Sequence, residues 1–124
     1  MAKIVNDGVE WIRDQVRDEF NYCQIGTSDT AVDYTDDSLI SYEAEETVTV
    51  TSDPSASDGS ATLEVEVEFT GIEATIDESG LFNDEQVASP TMLARGVLDE
   101  SATLSEDDIL EIAWTKTTSD SEAP

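Results

Sequence analysis

Asp77, Glu78 and Ser79 stand side by side in the stretch IDESGLFND, residues 76–84, and are the residue types here that come closest to chemistry. Two carboxylates can divide general acid and base work, and a serine can act as nucleophile once a base takes its proton. The base is the difficulty. The chain has no histidine, Lys116 is remote in sequence, and ESG does not match the G-x-S-x-G elbow of serine hydrolases. The carboxylates fail on geometry: adjacent strand residues point to opposite faces, so Asp77 and Glu78 cannot face each other across a sugar. The stretch therefore reads as structural. Glu78 leaves a strand and accepts hydrogen bonds from the backbone N–H groups of a turn, Gly80 permits that turn, Ser79 belongs to it, and Leu81 with Phe82 closes the core. No enzymatic activity is expected.

The segment SDTAVDYTDDS carries Asp29, Asp33, Asp36 and Asp37, hard oxygen ligands of the kind calcium takes. Their spacing differs from an EF-hand loop and lacks its glycine and terminal glutamate, so the segment reads as a solvated acidic loop. Neither a metal nor another cofactor is expected. SEDD, residues 105–108, is explained by a turn or one short helical turn capped by Ser105. Cys23 is the single cysteine, which excludes an internal disulfide framework and leaves it as a small core residue.

Thirty acidic residues against five basic give the 124-residue chain a formal net charge of −25. Such a surface repels phosphates and has no counterions to release from them, which argues against nucleic acid and against anionic membranes as partners. No apolar run approaches the roughly 20 residues that cross a bilayer, so a soluble product is expected. A disordered acidic chain lacks hydrophobic periodicity, and this one has it, so the acids belong to a folded protein. Glu64, Glu66 and Glu68 would lie about 7 Å apart along one strand face. Each neighbouring pair costs roughly 0.6 kcal/mol in water, and at about 1 M salt, where the Debye length is near 3 Å, that falls to roughly a tenth. A halophilic source is the reading that fits.

The elements that must position these groups follow from period. KIVNDGVEWIRDQVRDEF places Val5, Val9, Ile12, Val16 and Phe20 on one helical face, with Asn6 or Asp7 as cap and Glu10 in capping-box position. From residue 21 the pattern alternates. NYCQIGT reads as a strand ending at Gly26, ETVTVTS and ATLEVEVEF as a hairpin across the loop DPSASDGSA, and GIEATID, TMLARGVL and DILEIAWTKT as further strands. The expected fold is mainly β, an antiparallel, jelly-roll-like β-sandwich with one N-terminal α-helix. The helix occupies residues 1–20, packing on or extending from a sandwich of residues 21–117, and 118–124 reads as a disordered polar tail.

Taken in order, the stretches VNDGVEWI, QIGTSDT, VEVEFTGIEATIDESGLFN, TMLARGVL and DDILEIAWTKT resemble small structural proteins of tailed viruses, of the tail-fibre, baseplate or head-appendage type. The resemblance runs from about Val5 to Thr117, and the acid surplus is what a haloarchaeal virus version would carry. It implies a non-catalytic virion subunit in the tail, the baseplate or on the capsid surface, made in the host cytoplasm and partnered by itself, as a homo-oligomer, and by other virion proteins. The helix, with Trp11, Arg13 and Arg17, is the candidate assembly interface. A second reading is a receptor- or carbohydrate-binding module, perhaps calcium-dependent, that meets a host surface through the acidic loop and Tyr34 or Tyr42.

Overall fold

Helix α1 spans Asn6–Glu19 in the computed structural model, which describes residues 2–119. Its buried face is narrower than the apolar periodicity suggests. Val9 is sealed in, whereas Val5, Trp11 and Ile12 are exposed, and the inward position one turn beyond Val9 is taken by Arg13. An arginine can sit there because its guanidinium is used: Nη1 donates to the carbonyls of Pro54 and Thr62, each at 2.8 Å, and Nε to Asp14 at 2.8 Å. The side chains read as the helix cap and capping box serve this neighbouring segment instead, since α1 already includes Asn6 and Asp7. Asn6 Oδ1 accepts from Gly59 N–H and Glu10 Oε1 from Ala56 N–H. The segment itself closes on Asp58 and Gly59, both in the left-handed region, with Ser57 and Ser60 exchanging backbone bonds around them, as an Asp-Gly hairpin turn requires.

Among the described residues seven strands follow: β1 Tyr22–Gly26, β2 Tyr42–Thr47, β3 Thr49–Ser52, β4 Ser60–Thr70, β5 Thr75–Phe82, β6 Met92–Thr103 and β7 Ile109–Ser119, with a 3-10 turn at Gln86–Ala88. They form two antiparallel sheets, ordered β2-β1-β5-β6 and β3-β4-β7, so the fold is mainly β, sandwich-like, with one N-terminal helix. Strand β4 keeps the alternation of its sequence: Ala61, Leu63, Val65, Val67 and Phe69 are buried while Glu64, Glu66 and Glu68 face solvent. The stretch ETVTVTS is not one strand. It breaks at Val48, whose N–H donates to Asn21 O, and the two halves join different sheets.

Two further expectations are corrected. Strand β5 starts at Thr75 and runs unbroken through Phe82, so there is no turn at Gly80 and Ser79 is not a turn residue. The glycine answers a need for space instead, as glycine in a strand interior often does. A Cβ on Gly80 would stand 2.9 Å from Phe82 Cε2, 3.1 Å from Leu39 Cδ2 and 3.2 Å from Ala94 O. At the other end of the chain, β7 takes in Thr118 and Ser119, and the remainder of the segment read as a tail lies outside the described residues.

The chain divides into two compact units. One comprises the described residues up to Glu19, Thr49–Glu66 and those from Ala113; its buried apolar residues include Val9, Ala61, Leu63 and Val65. The other comprises Phe20–Val48 and Val67–Ile112, with Cys23, Ile25, Leu39, Val67, Phe69, Ile76, Leu81 and Phe82 buried. The candidate site belongs wholly to the second. Among the described residues no helix is long and apolar enough to cross a membrane.

Candidate functional site

The loop between β1 and β2 is pinned to one sheet face by a buried carboxylate. Register places Gln24 beside Gly80, and Gly26 beside Glu78, in the β1–β5 pair, while Gly80 stands beside Arg95 in the β5–β6 pair. Alternation therefore brings Gln24, Gly26, Glu78, Gly80 and Arg95 to the same face. Each oxygen of Glu78 accepts two bonds. Oε1 takes Ile40 N–H at 2.9 Å and Arg95 Nε at 2.9 Å; Oε2 takes Ser41 N–H at 2.8 Å and Ser28 N–H at 3.2 Å. All the acceptor capacity of the carboxylate is filled.

Arg95 completes the clamp. Its Nη2 donates to Thr30 O at 2.8 Å and its Nη1 to Asp36 Oδ2 at 3.3 Å, so one guanidinium joins the sheet to both limbs of the loop. The neck is closed by Thr27 N–H to Ser41 O at 2.9 Å and by the two side-chain hydroxyls, giving an Ω-type loop with Leu39 as its buried apolar anchor. Gly26 makes the close approach possible: a Cβ there would overlap Ser41 O and lie 2.6 Å from Glu78 Oε2. Burial by itself raises the Glu78 carboxyl, but the Ile40 N–H, Arg95, Ser41 N–H and Ser28 N–H donors outweigh it and hold the group below the ordinary carboxylate range.

The acidic loop residues have separate tasks. Asp33 Oδ1 accepts from the N–H and hydroxyl of Thr35, which hold its carboxyl low, and Asp36 Oδ2 accepts from Asp33 N–H as well as Arg95. Asp29 and Asp37 are exposed. Among the described residues no group of three or more His, Cys, Asp or Glu side chains is placed to hold a metal ion. Asp77 accepts from Ser101 Oγ, and Ser79 is buried with its hydroxyl 3.3 Å from Cys23 Sγ.

Two hollows flank the pinned loop. One, about 230 Å³, lies between Val32, Tyr34 and Asp36 of the loop and Met92, Leu93 and Arg95 of β6. The other, about 390 Å³, is bounded by Ser38 and Leu39 of the loop, Gln24, Tyr42, Phe82 and the 86–90 connection. The loop presents Val32, Tyr34 and Ile40 to solvent, Tyr34 completely.

The candidate interface on α1 is divided. Trp11 is 64% exposed, but Arg13 is withdrawn into the chain by its two carbonyl partners and is no contact residue. Arg17 is shared among Asp14, Asp18 and Asp53, and its Asp18 and Asp53 hydrogen bonds, ahead of the Coulomb attraction, raise its pKa further. Sequence reasoning missed Gln24, Gly26 and Arg95 as site residues. The one signal for them was a glutamine and an arginine inside otherwise apolar strands. No protein-family model matches the chain, and no curated protein matches it.

Proposed function

We propose that the chain is a non-enzymatic structural subunit of a virion, of the tailed-virus kind adapted to concentrated salt, which assembles as a homo-oligomer in the tail or baseplate or on the capsid surface. The observation that carries this reading is where the resemblance motifs meet. Gly26 from QIGT, Glu78 from DESGLF and Arg95 from TMLAR are far apart in sequence and join in one clamp that pins a loop presenting Val32, Tyr34 and Ile40 to solvent. The residues that carry the resemblance to such building blocks here hold a loop in place. Glu78, the carboxylate closest to chemistry in type, has every lone pair occupied by a loop or arginine donor.

Self-association has an available apolar element in α1, where Trp11 and Ile12 are exposed, with Val5 exposed just before the helix. Burying a tryptophan is among the largest single contributions that one residue makes to an interface. Light scattering of the purified chain in molar salt should give a defined multiple of the monomer mass, reduced by Trp11→Ala, and antibodies to the chain should label intact particles. A strict monomer at every salt concentration overturns the assembly reading.

A further inference from the structure

Gln24 is 3% exposed, yet its side-chain amide makes no hydrogen bond to any described residue. A carboxamide that meets no protein group yet still reaches solvent is available to bond whatever enters the hollow it lines. The amide is not sealed in, because Gln24 lines the 390 Å³ hollow. That volume lies within the range of small-molecule sites, about 300–1,000 Å³.

The geometry points to this hollow as a binding site for the neutral end of a saccharide, with the Gln24 carboxamide as the group that reads its hydroxyls. A carboxamide donates and accepts at once, and so does a pair of neighbouring sugar hydroxyls. Tyr42 and Pro90 supply the accessible aromatic and apolar surface for the C–H face of a pyranose ring, over a floor formed by the buried Leu39 and Phe82, and Asp37 offers an acceptor to a further hydroxyl. Burial raises the Tyr42 phenol above its ordinary value, with Glu45 and Glu43 adding to it, so it remains a donor at neutral pH. The wall is set in advance: Ile40 N–H and Ser41 N–H are tied to Glu78, which fixes Ser38 and Leu39 just before them, and binding need not order the loop. Asp37 and a net charge of −25 select against sialic acids, uronates and phosphorylated sugars. The site stands whether or not the chain is a virion subunit.

The test is a protein-observed NMR titration of the intact chain in molar salt. The probes are the methyl glycosides of glucose, galactose, mannose and N-acetylglucosamine, with N-acetylneuraminic acid and inorganic phosphate as anionic comparators. At least one neutral glycoside should move the Gln24 side-chain amide and Tyr42 signals saturably. Gln24→Leu should weaken that binding at least about tenfold, the loss of one good hydrogen bond, while leaving the melting temperature unchanged or higher. Tyr42→Ala, at the rim, should weaken it independently. Overturning results are a Gln24 amide unmoved by all four glycosides, shifts that persist in Gln24→Leu, binding of the anions alone, or a Gln24→Leu variant that melts lower, which would give the amide a structural role.

Discussion

Arg95 Nε donates to Glu78 Oε1 at 2.9 Å with both side chains wholly buried, and each partner also binds backbone groups of the same loop. A buried ion pair is often no better than a well-packed apolar pair, because desolvation cancels the Coulomb attraction. Here the pair has a second role, since Glu78 is also the acceptor for three loop N–H groups. Arg95→Met should cost about 3–5 kcal/mol in urea unfolding at fixed salt, as expected when one partner of a buried pair is removed. Glu78→Leu should cost at least as much. The double variant should lose less than the sum of the two, yet stay below wild type, because the N–H groups of Ser28, Ile40 and Ser41 remain without their acceptor. A double variant as stable as wild type would show that the loop bonds contribute nothing.

The clamp also sets an acid limit. The folded-state pKa of Glu78 lies below the ordinary 4.5 because loop and arginine donors outweigh burial. A depressed carboxyl stabilises the fold fully above its unfolded value and loses that contribution as pH falls through the folded value. Subtracting the stability profile of Glu78→Gln from that of wild type should therefore give a difference that is flat above about pH 5 and shrinks below it. Hydrogen exchange at Ile40 and Ser41 should accelerate over the same window. A difference that grows on acidification would reverse the assignment.

Two glycines of this face should respond unequally to alanine. At Gly26 the added methyl meets a backbone carbonyl, Ser41 O, and the clamped Glu78 carboxylate, neither of which can yield without opening the clamp. At Gly80 its nearest neighbours are the ends of Phe82 and Leu39, which can turn aside, though Ala94 O cannot. Gly26→Ala should cost about 3 kcal/mol or more, at the upper end of overpacking, and Gly80→Ala about 1–2 kcal/mol. Thermal melts of the two variants side by side give the comparison.

What could be read in advance divides along physical lines. Period-2 alternation in ATLEVEVEF depends only on neighbours in the chain, and it placed every side chain of β4 on its correct face. The glycine at position 80 was misread because a glycine in sequence offers two meanings, a special φ or a close approach, and only the path of a distant loop decides between them. Arg13 was read as part of an assembly interface for the same reason. Its carbonyl partners at Pro54 and Thr62 lie some forty residues away, separations of 41 and 49, and nothing local announces them. Glu78 was recognised as an acceptor of backbone N–H groups, but those groups come from the 27–41 loop and not from its own turn.

The exposed glutamates of β4 make the last prediction. Glu64, Glu66 and Glu68 share the solvent face of one strand. Two neighbouring pairs at about 7 Å give roughly 1.2 kcal/mol of repulsion in dilute buffer and roughly a tenth of that at about 1 M salt. Elsewhere three of the five cations, Arg13, Arg17 and Arg95, are tied to carboxylates of their own chain, so they are already committed against the surplus. Far-UV circular dichroism should therefore show a fold that strengthens steeply as salt is raised. The triple variant Glu64→Gln, Glu66→Gln, Glu68→Gln should gain about 1 kcal/mol in dilute buffer and almost nothing in molar salt, flattening the salt dependence without abolishing it. Equal stability of the wild-type chain with and without salt would remove the halophilic reading, because the repulsion it rests on would then be absent.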